Sequence, residues 1–371
     1  MSRDMLAWPR VRALGLALTL VGVHAATLAA QGTGRGAAGG RGAAAPGLPP
    51  APPGDADTLP PGKYFGITEY DLARTKLEKL VKPGGFAVYI VTDMEGLAGV
   101  VNNGREMSTG RSGNSPDHQR FRQELTDELN AAIAGARIGG ATQFFVVEGH
   151  GANNFRNVLV EKVDPEAILL RGWPRPNVME TGVNAKMNLM MVVGNHPNAG
   201  SPGIIAHSYA LGSPMTVNGI KLNESGISAF IGAEFGVPLG MVAGDDSYAA
   251  EMKETFPSAE VVTVKVAFSG SGGAMLPLSR VRAQIRAAAT RAVQRAKAGQ
   301  LKLVTFAKPY HIAWCIRSTF AQPVYEVMAR PVGFTIQPDS ASGPRCFTYD
   351  THKAEEIGTI MNLVEWAALK P

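Results

Sequence analysis

The sequence predicts an α/β fold, a three-layer α/β/α arrangement around a mostly parallel sheet with a C-terminal α+β region, and three observations carry that prediction. Short apolar runs rich in Val, Ile, Phe and Met recur between residues 86 and 243. Segments with helical periodicity separate them, as in consecutive βαβ units. The runs are too uniformly apolar for strands with one wet face, which is the pattern of parallel strands covered on both sides. With 371 residues, 45% hydrophobic and 18% charged, the chain can bury a large core.

Taken in order, residues 1–30 have the layout of a secretory signal peptide. Arg3, Arg10 and Arg12 precede an apolar stretch from Ala13 to Val23, and small residues follow at Ala25, Ala26, Ala29 and Ala30. Cleavage after Ala25 or Ala30 fits, and the location expected is the periplasm or the exterior. An uncleaved anchor is the alternative, with the apolar stretch extended from Val11 to Ala30 across His24. Residues 31–62 are Gly, Ala and Pro almost throughout and bury too little apolar surface to order, so they read as a flexible tether. A formal charge of +5 lacks the basic stripe of a nucleic-acid-binding surface, and no later segment is long and apolar enough to span a bilayer.

Residues 63–270 form the predicted catalytic part. Phe86 to Thr92 follows Pro83-Gly84-Gly85 and reads as a buried strand. Phe121, Leu125, Leu129 and Ile133 recur every fourth residue, predicting a helix from Pro116 to Ala136 that Gly139-Gly140 closes. Strands are expected at Thr142–Val147, Ala167–Leu170, Asn188–Val193 and Val237–Ala243, and a short helix at Glu224–Phe235. Residues 271–371 change character: a helix from Leu278 to Ala298, strands at Leu303–Phe306 and His311–Arg317, and a closing helix from Lys353 to Leu369. The junction is placed at Ser269–Gly273, whose glycines equally suit an active-site loop. Cys315 and Cys346 lie in this part, and both a disulfide and two buried thiols fit an exported chain.

The chemistry lies at strand ends. Asp93 and Glu95 follow the first strand, His150 the second, and His196 the run Met190 to Val193. Carboxyl ends of parallel strands share one rim, where ligands bind in open α/β sheets. In an extended Asp93-Met94-Glu95 both carboxylates face one side and need a cation. Carboxylates with neutral imidazoles, and no thiolates, suit zinc or manganese in a catalytic site. Taken singly, an Asp-x-Glu at a strand end is an ordinary cap, a loop histidine is ordinarily hydrogen-bonded, and Glu224 is an ordinary helix N-terminal acid. Glu148 fits either an outer partner of His150 or an exposed side chain.

The fragments Val91-Thr-Asp-Met-Glu-Gly-Leu-Ala-Gly99, Glu148-Gly-His150, Gly194-Asn-His196, Gly203-Ile-Ile-Ala-His-Ser208, Val217-Asn-Gly219 with Asn223-Glu224, and Val242-Ala-Gly-Asp-Asp246 resemble, in order and spacing, the zinc-dependent D-aminopeptidase family. The resemblance implies two zinc ions per subunit, with Asp93 bridging, Glu95 and His150 on one side, and His196 and Glu224 on the other. It implies His207 as the catalytic residue; the residues alone leave base, acid and nucleophile open. It further implies a small peptide substrate with an N-terminal D-amino acid and a ring-like homo-oligomer, a decamer. Val147, Glu148 and Pro197 depart from the family pattern beside ligands without removing one. Two other readings remain: a metal-dependent amidohydrolase on a non-peptide amide or ester, and an exported peptide-binding protein.

Overall fold

A computed structural model describes residues 67–107, 115–173, 175, 177–209, 214–316, 335–337 and 345–358. The predicted signal peptide (1–30) and tether (31–62) lie outside the described residues, as does the closing helix beyond residue 358. Among the described residues no helix is long and apolar enough to cross a membrane.

Helix α1 (Ile67–Glu78) leads into β1 (Ala87–Thr92), short α2 (Asn103–Glu106), α3 (Pro116–Ile138), β2 (Gln143–Glu148), β3 (Ala167–Leu170) and β4 (Leu189–Val193). The hairpin β5 (Met215–Val217) and β6 (Ile220–Leu222), α4 (Glu224–Glu234), β7 (Leu239–Asp245), α5 (Asp246–Thr255), β8 (Glu260–Ser269), β9 (Gly272–Met275) and α6 (Leu278–Lys297) follow. Strands β10 (Tyr310–Ile316), β11 (Thr335–Gln337) and β12 (Arg345–Thr351) close the order. One seven-stranded sheet runs β3-β2-β1-β4-β7-β8-β9, and all its pairings are parallel except β8 with β9.

The period-two alternation of each central strand divides the core into two layers. Val88 and Ile90, with Phe144, Val146, Met191 and Val193, face α3 and α6. Tyr89 and Val91, with Phe145, Val147, Met190 and Val192, face α4 and the second sheet. Helix α3 fits its sequence closely. The Ser115 side chain accepts the His118 N–H at 3.0 Å, Pro116 opens the first turn, and Phe121, Leu125, Leu129 and Ile133 are buried. Each such side chain contributes about 1.5–3 kcal/mol.

The second sheet, β11-β12-β10-β5-β6, is antiparallel throughout. Its β5–β6 hairpin turns at Asn218 (φ 51°) and Gly219 (φ 80°), the two-residue left-handed turn that Asn-Gly favours. This hairpin comes from the middle of the chain, so the C-terminal strands are built onto the catalytic part. Ser269–Gly273, expected as a junction, instead contains the turn from β8 to β9, and α6 beyond it packs against α3 and the main sheet. The expected strand at Leu303–Phe306 is irregular chain; Phe306 packs edge-on to Phe230 at 5.0 Å without joining a ladder. Cys315 and Cys346 are register partners in β10 and β12, and their side chains lie outside the described residues.

Candidate metal centre

Strands β2, β1 and β4 are neighbours, and their carboxyl ends bring Asp93, Glu95, His150 and His196 to one rim, as the strand order requires. Asp93 follows β1 directly and its N–H donates to Val193 O at 2.9 Å. The chain then turns instead of staying extended. Gly96 N–H donates to Gly194 O at 2.6 Å and Leu97 N–H to Met94 O at 3.2 Å, so the two carboxylates converge through a turn and not through strand alternation. That approach needs glycine on both sides, because a Cβ on Gly96 would strike the Asn195 backbone and one on Gly194 (φ 79°) the Asp93 backbone. Glu224 arrives by another route, as the first residue of α4, where Asn223 caps the helix by accepting the Gly226 N–H at 2.9 Å. His207 lies in the loop before β5.

All five predicted ligands are buried. Donor atoms of Asp93, Glu95 and His150 lie within 4.8 Å of one another, and so do those of Asp93, His196 and Glu224, with Asp93 common to both groups. His150 Nδ1 is 3.0 Å from Glu95 and 3.5 Å from Asp93. His196 Nε2 is 3.4 Å from Glu224 and 3.6 Å from Asp93. His207 Nε2 is 3.7 Å from Glu95, its ring stacks on His196 with centroids 3.8 Å apart, and its side chain stays 32% exposed, unlike the ligands. Glu95, His196 and His207 form a third, overlapping group.

The outer contacts of the three imidazoles fix what faces inward. His150 Nε2 lies 3.2 Å from Met107 O, His196 Nδ1 3.0 Å from Pro197 O, and His207 Nδ1 2.8 Å from Ile205 O. A carbonyl only accepts, so each outer nitrogen carries the proton. The inner nitrogens then point lone pairs at carboxylates, which is repulsive unless a cation lies between them. His196 Nε2 has no hydrogen-bond partner although it is fully buried. Without metal, protons meet the demand: against the opposing effect of burial, Glu95 and Asp93 raise His150 well above its ordinary value, and Glu224 chiefly raises His196 to about 10. Burial and then Glu95 push Asp93 well up, whereas the neighbouring His150 outweighs burial and holds Glu95 well below the carboxylate range. His207 is lowered by burial and then by His196. Three carboxylates and two outward-anchored imidazoles around a shared aspartate are a fitting donor set for zinc.

A further layer of residues holds the ligands. Asn195 Nδ2 donates to Asp93 at 2.8 Å and the Tyr209 N–H to Glu224 at 2.7 Å. Glu251 on α5 accepts from the Asn198 N–H at 3.1 Å, from Asn223 Nδ2 at 2.9 Å and from the Ser201 hydroxyl, tying the His196 loop to the cap of α4. Asp245 caps α5 and also accepts the Ile204 N–H at 2.7 Å. Ile205 sits at φ 52°, a strained conformation for a β-branched residue, and presents its carbonyl to His207. Glu148 is buried, accepts from the Asn157 and Val158 N–H groups and pairs with Arg171 at 3.2 Å. Asn157 Nδ2 in turn donates to His150 O at 2.9 Å, so Glu148 acts on the His150 loop through Asn157. Sequence reasoning assigned no role to Asn195, Glu251 or Tyr209.

Fold and site together define an α/β protein with a buried carboxylate–imidazole metal centre at the rim of a parallel sheet. The family model described as D-aminopeptidase (Peptidase M55) matches residues 86–330, and the chain belongs to that family. It is similar to the D-aminopeptidase of Bacillus subtilis (strain 168), with 32% identity over 185 residues, 50% of this chain and 65% of the relative. The match thus spans slightly less than two thirds of the relative's length. Among solved structures it resembles the Zn-dependent D-aminopeptidase DppA from Bacillus subtilis, described as a self-compartmentalizing protease. The TM-score is 0.67 and the identity 23%, with 77% of this chain and 99% of that one covered, a likeness of fold.

Proposed function

We propose that this chain is an exported zinc-dependent aminopeptidase that removes N-terminal D-amino acids from short peptides, with two zinc ions per subunit. The observation that supports it most directly is the pair of donor groups joined by Asp93, with both imidazoles of those groups anchored outward on carbonyls. Asp93, Glu95 and His150 would hold one ion, and Asp93, His196 and Glu224 the other. Bound zinc supplies Lewis acidity toward a scissile carbonyl and makes water acidic enough to act as hydroxide near neutral pH.

The chain's own residues supply the rest. His207 is the most open of the three site imidazoles and, with its proton fixed on Nδ1, offers a free Nε2 lone pair toward the centre. Burial and then His196 lower its proton affinity, which favours the neutral ring. It is therefore suited to take a proton from the attacking group and return it to the leaving amine, or to attack the carbonyl itself. Burial of Asp93, Glu95 and Glu224 keeps water from competing for their lone pairs.

The self-compartmentalizing description of the solved relative supports a homo-oligomer here, the decamer that the family resemblance implies, with access restricted to small peptides. The signal-peptide layout of residues 1–30 supports export. Release of D-alanine from D-Ala-D-Ala, compared with L-Ala-L-Ala and with non-peptide amides and esters, tests the activity. Turnover of the D-dipeptide that chelation abolishes and zinc restores is expected. Turnover confined to a non-peptide amide or ester would transfer the site to another hydrolase, and tight peptide binding without any turnover would make the chain a binding protein.

A further inference from the structure

A buried lysine behind the centre has no part in the chemistry above. Lys265 lies on β8, separated from β1 by β4 and β7 in the sheet order, and is 2% exposed. Its Nζ donates to Glu95 O at 2.6 Å, to Leu97 O at 2.8 Å and to Val100 O, which uses all three ammonium protons on one turn. The same turn is gripped from α3 by its N–H groups. Ala98 N–H donates to Glu128 at 3.2 Å and Gly99 N–H to Glu124. Lys265 thus takes the carbonyls of Glu95, Leu97 and Val100 while two acidic side chains, one helical turn apart, take the amides of Ala98 and Gly99.

Packing alone does not call for these charges. Glu124 and Glu128 are buried on a helix face with Phe121, Leu125 and Leu129, and Lys265 lies between Val264 and Val266 in a β-branched strand. Apolar residues would fill that layer at less desolvation cost, since buried ion pairs seldom improve on hydrophobic packing. What the charges add is a turn whose carbonyls and amides are both fixed, and Glu95 is its first residue.

We propose that Lys265 is a positioning residue that sets the metal affinity of the Asp93–Glu95–His150 half of the centre. The proposal rests on the metal-binding reading above. Lys265 holds the Glu95 main chain, and through it the direction from which the carboxylate reaches the site shared with His150. Among the described residues Lys265 donates nothing to the His196–Glu224 half, whose corresponding brace is Glu251 on α5.

The test is zinc affinity of the full chain, measured by competition with a chromophoric chelator, beside thermal unfolding of the metal-free protein. Lys265→Met removes the three donors at similar volume, and Glu128→Gln beside it takes away the neighbouring acid while keeping an acceptor for Ala98 N–H, so the informative variant is the double one. The metal-free double variant is expected to unfold cooperatively, and one of its two zinc affinities to fall about 10–100-fold while the other stays unchanged. A folded double variant with both affinities within twofold of wild type overturns the proposal. If the double variant does not fold, Lys265→Gln alone decides: a loss of roughly 10-fold at one ion supports it, and unchanged affinities overturn it. Failure of the wild type to bind zinc removes the metal reading as well, whereas wild-type binding with an unaffected variant removes only the role of Lys265.

Discussion

The two halves of the centre share Asp93 and differ in how the fold delivers everything else. Asp93, Glu95 and His150 follow adjacent parallel strands, β1 and β2, and backbone hydrogen bonds from Asp93 and Gly96 to Val193 and Gly194 at the end of β4 secure the first two. Of the other half, only His196 is a strand-end residue. Glu224 waits at the head of α4 behind a hairpin of the second sheet, and Glu251 has to bridge the His196 loop to the cap of that helix. The first half is thus fixed by the sheet and the second by the docking of separate elements. Substitutions should separate them.

Asp93→Ala should have the largest effect, since both halves depend on it: zinc content falling from about two per chain to less than one, and activity by on the order of 10³-fold or more. Glu224→Gln should instead leave one ion in place. Elemental analysis showing one retained zinc and near-complete loss of turnover would uphold the division, and loss of both ions would mean that the halves do not bind independently. His207→Ala, which removes no proposed ligand, is expected to lower turnover about 10²–10⁴-fold with both zincs retained. A drop in zinc content there would move His207 into the ligand set, where its proximity to Glu95 and His196 also allows it.

Glu251→Gln should act on the second half alone, weakening one ion by about 10-fold in a chelator competition. The smallest effect concerns the buried glutamates behind each half. Burial raises Glu148 and Glu180 to about 7, Glu180 behind α4 where Ser228 donates to it at 2.5 Å. In an unfolded chain these carboxyls titrate near 4.3. Between the two values the folded protein holds more protons than the unfolded one, so stability is greatest below that lower value and falls as pH rises toward 7. Each group contributes a slope of about 1.4 kcal/mol per pH unit. His118, lowered to about 4 by burial, has the opposite sign and ceases to matter above its unfolded value near 6.5. Chemical denaturation of the metal-free protein between pH 5 and 7 should therefore show a shallower decline for Glu180→Gln than for wild type. Equal slopes would show that Glu180 is ionised throughout.

The same contrast decides what the sequence made legible. Runs such as Ala87–Thr92 and Leu189–Val193 are apolar enough to be read as buried parallel strands, and parallel strands have a shared functional rim, so Asp93, Glu95, His150 and His196 could be grouped from the sequence. Glu224 and His207 belong to a helix start and a loop, where position depends on tertiary docking, and only the ordered family fragments singled them out. Lys265 does have a signal in the sequence: one cation inside the β-branched run of β8, matched by Glu124 and Glu128 flanking the apolar stripe of α3. The glycines at Ser269–Gly273 suit a hairpin turn as well as a linker, and the turn from β8 to β9 falls there. Asn218-Gly219 was a ready hairpin signal, but nothing local showed that its strands join the C-terminal sheet.

The central claim is a two-ion centre organised around one shared aspartate. Titration of zinc into the chelated full chain, followed by chelator competition for wild type and Asp93→Ala, tests it most directly. Two bound ions in the wild type, both weakened at least about 100-fold in the variant, is the predicted result. A single binding event in the wild type, or one left untouched by Asp93→Ala, would contradict it.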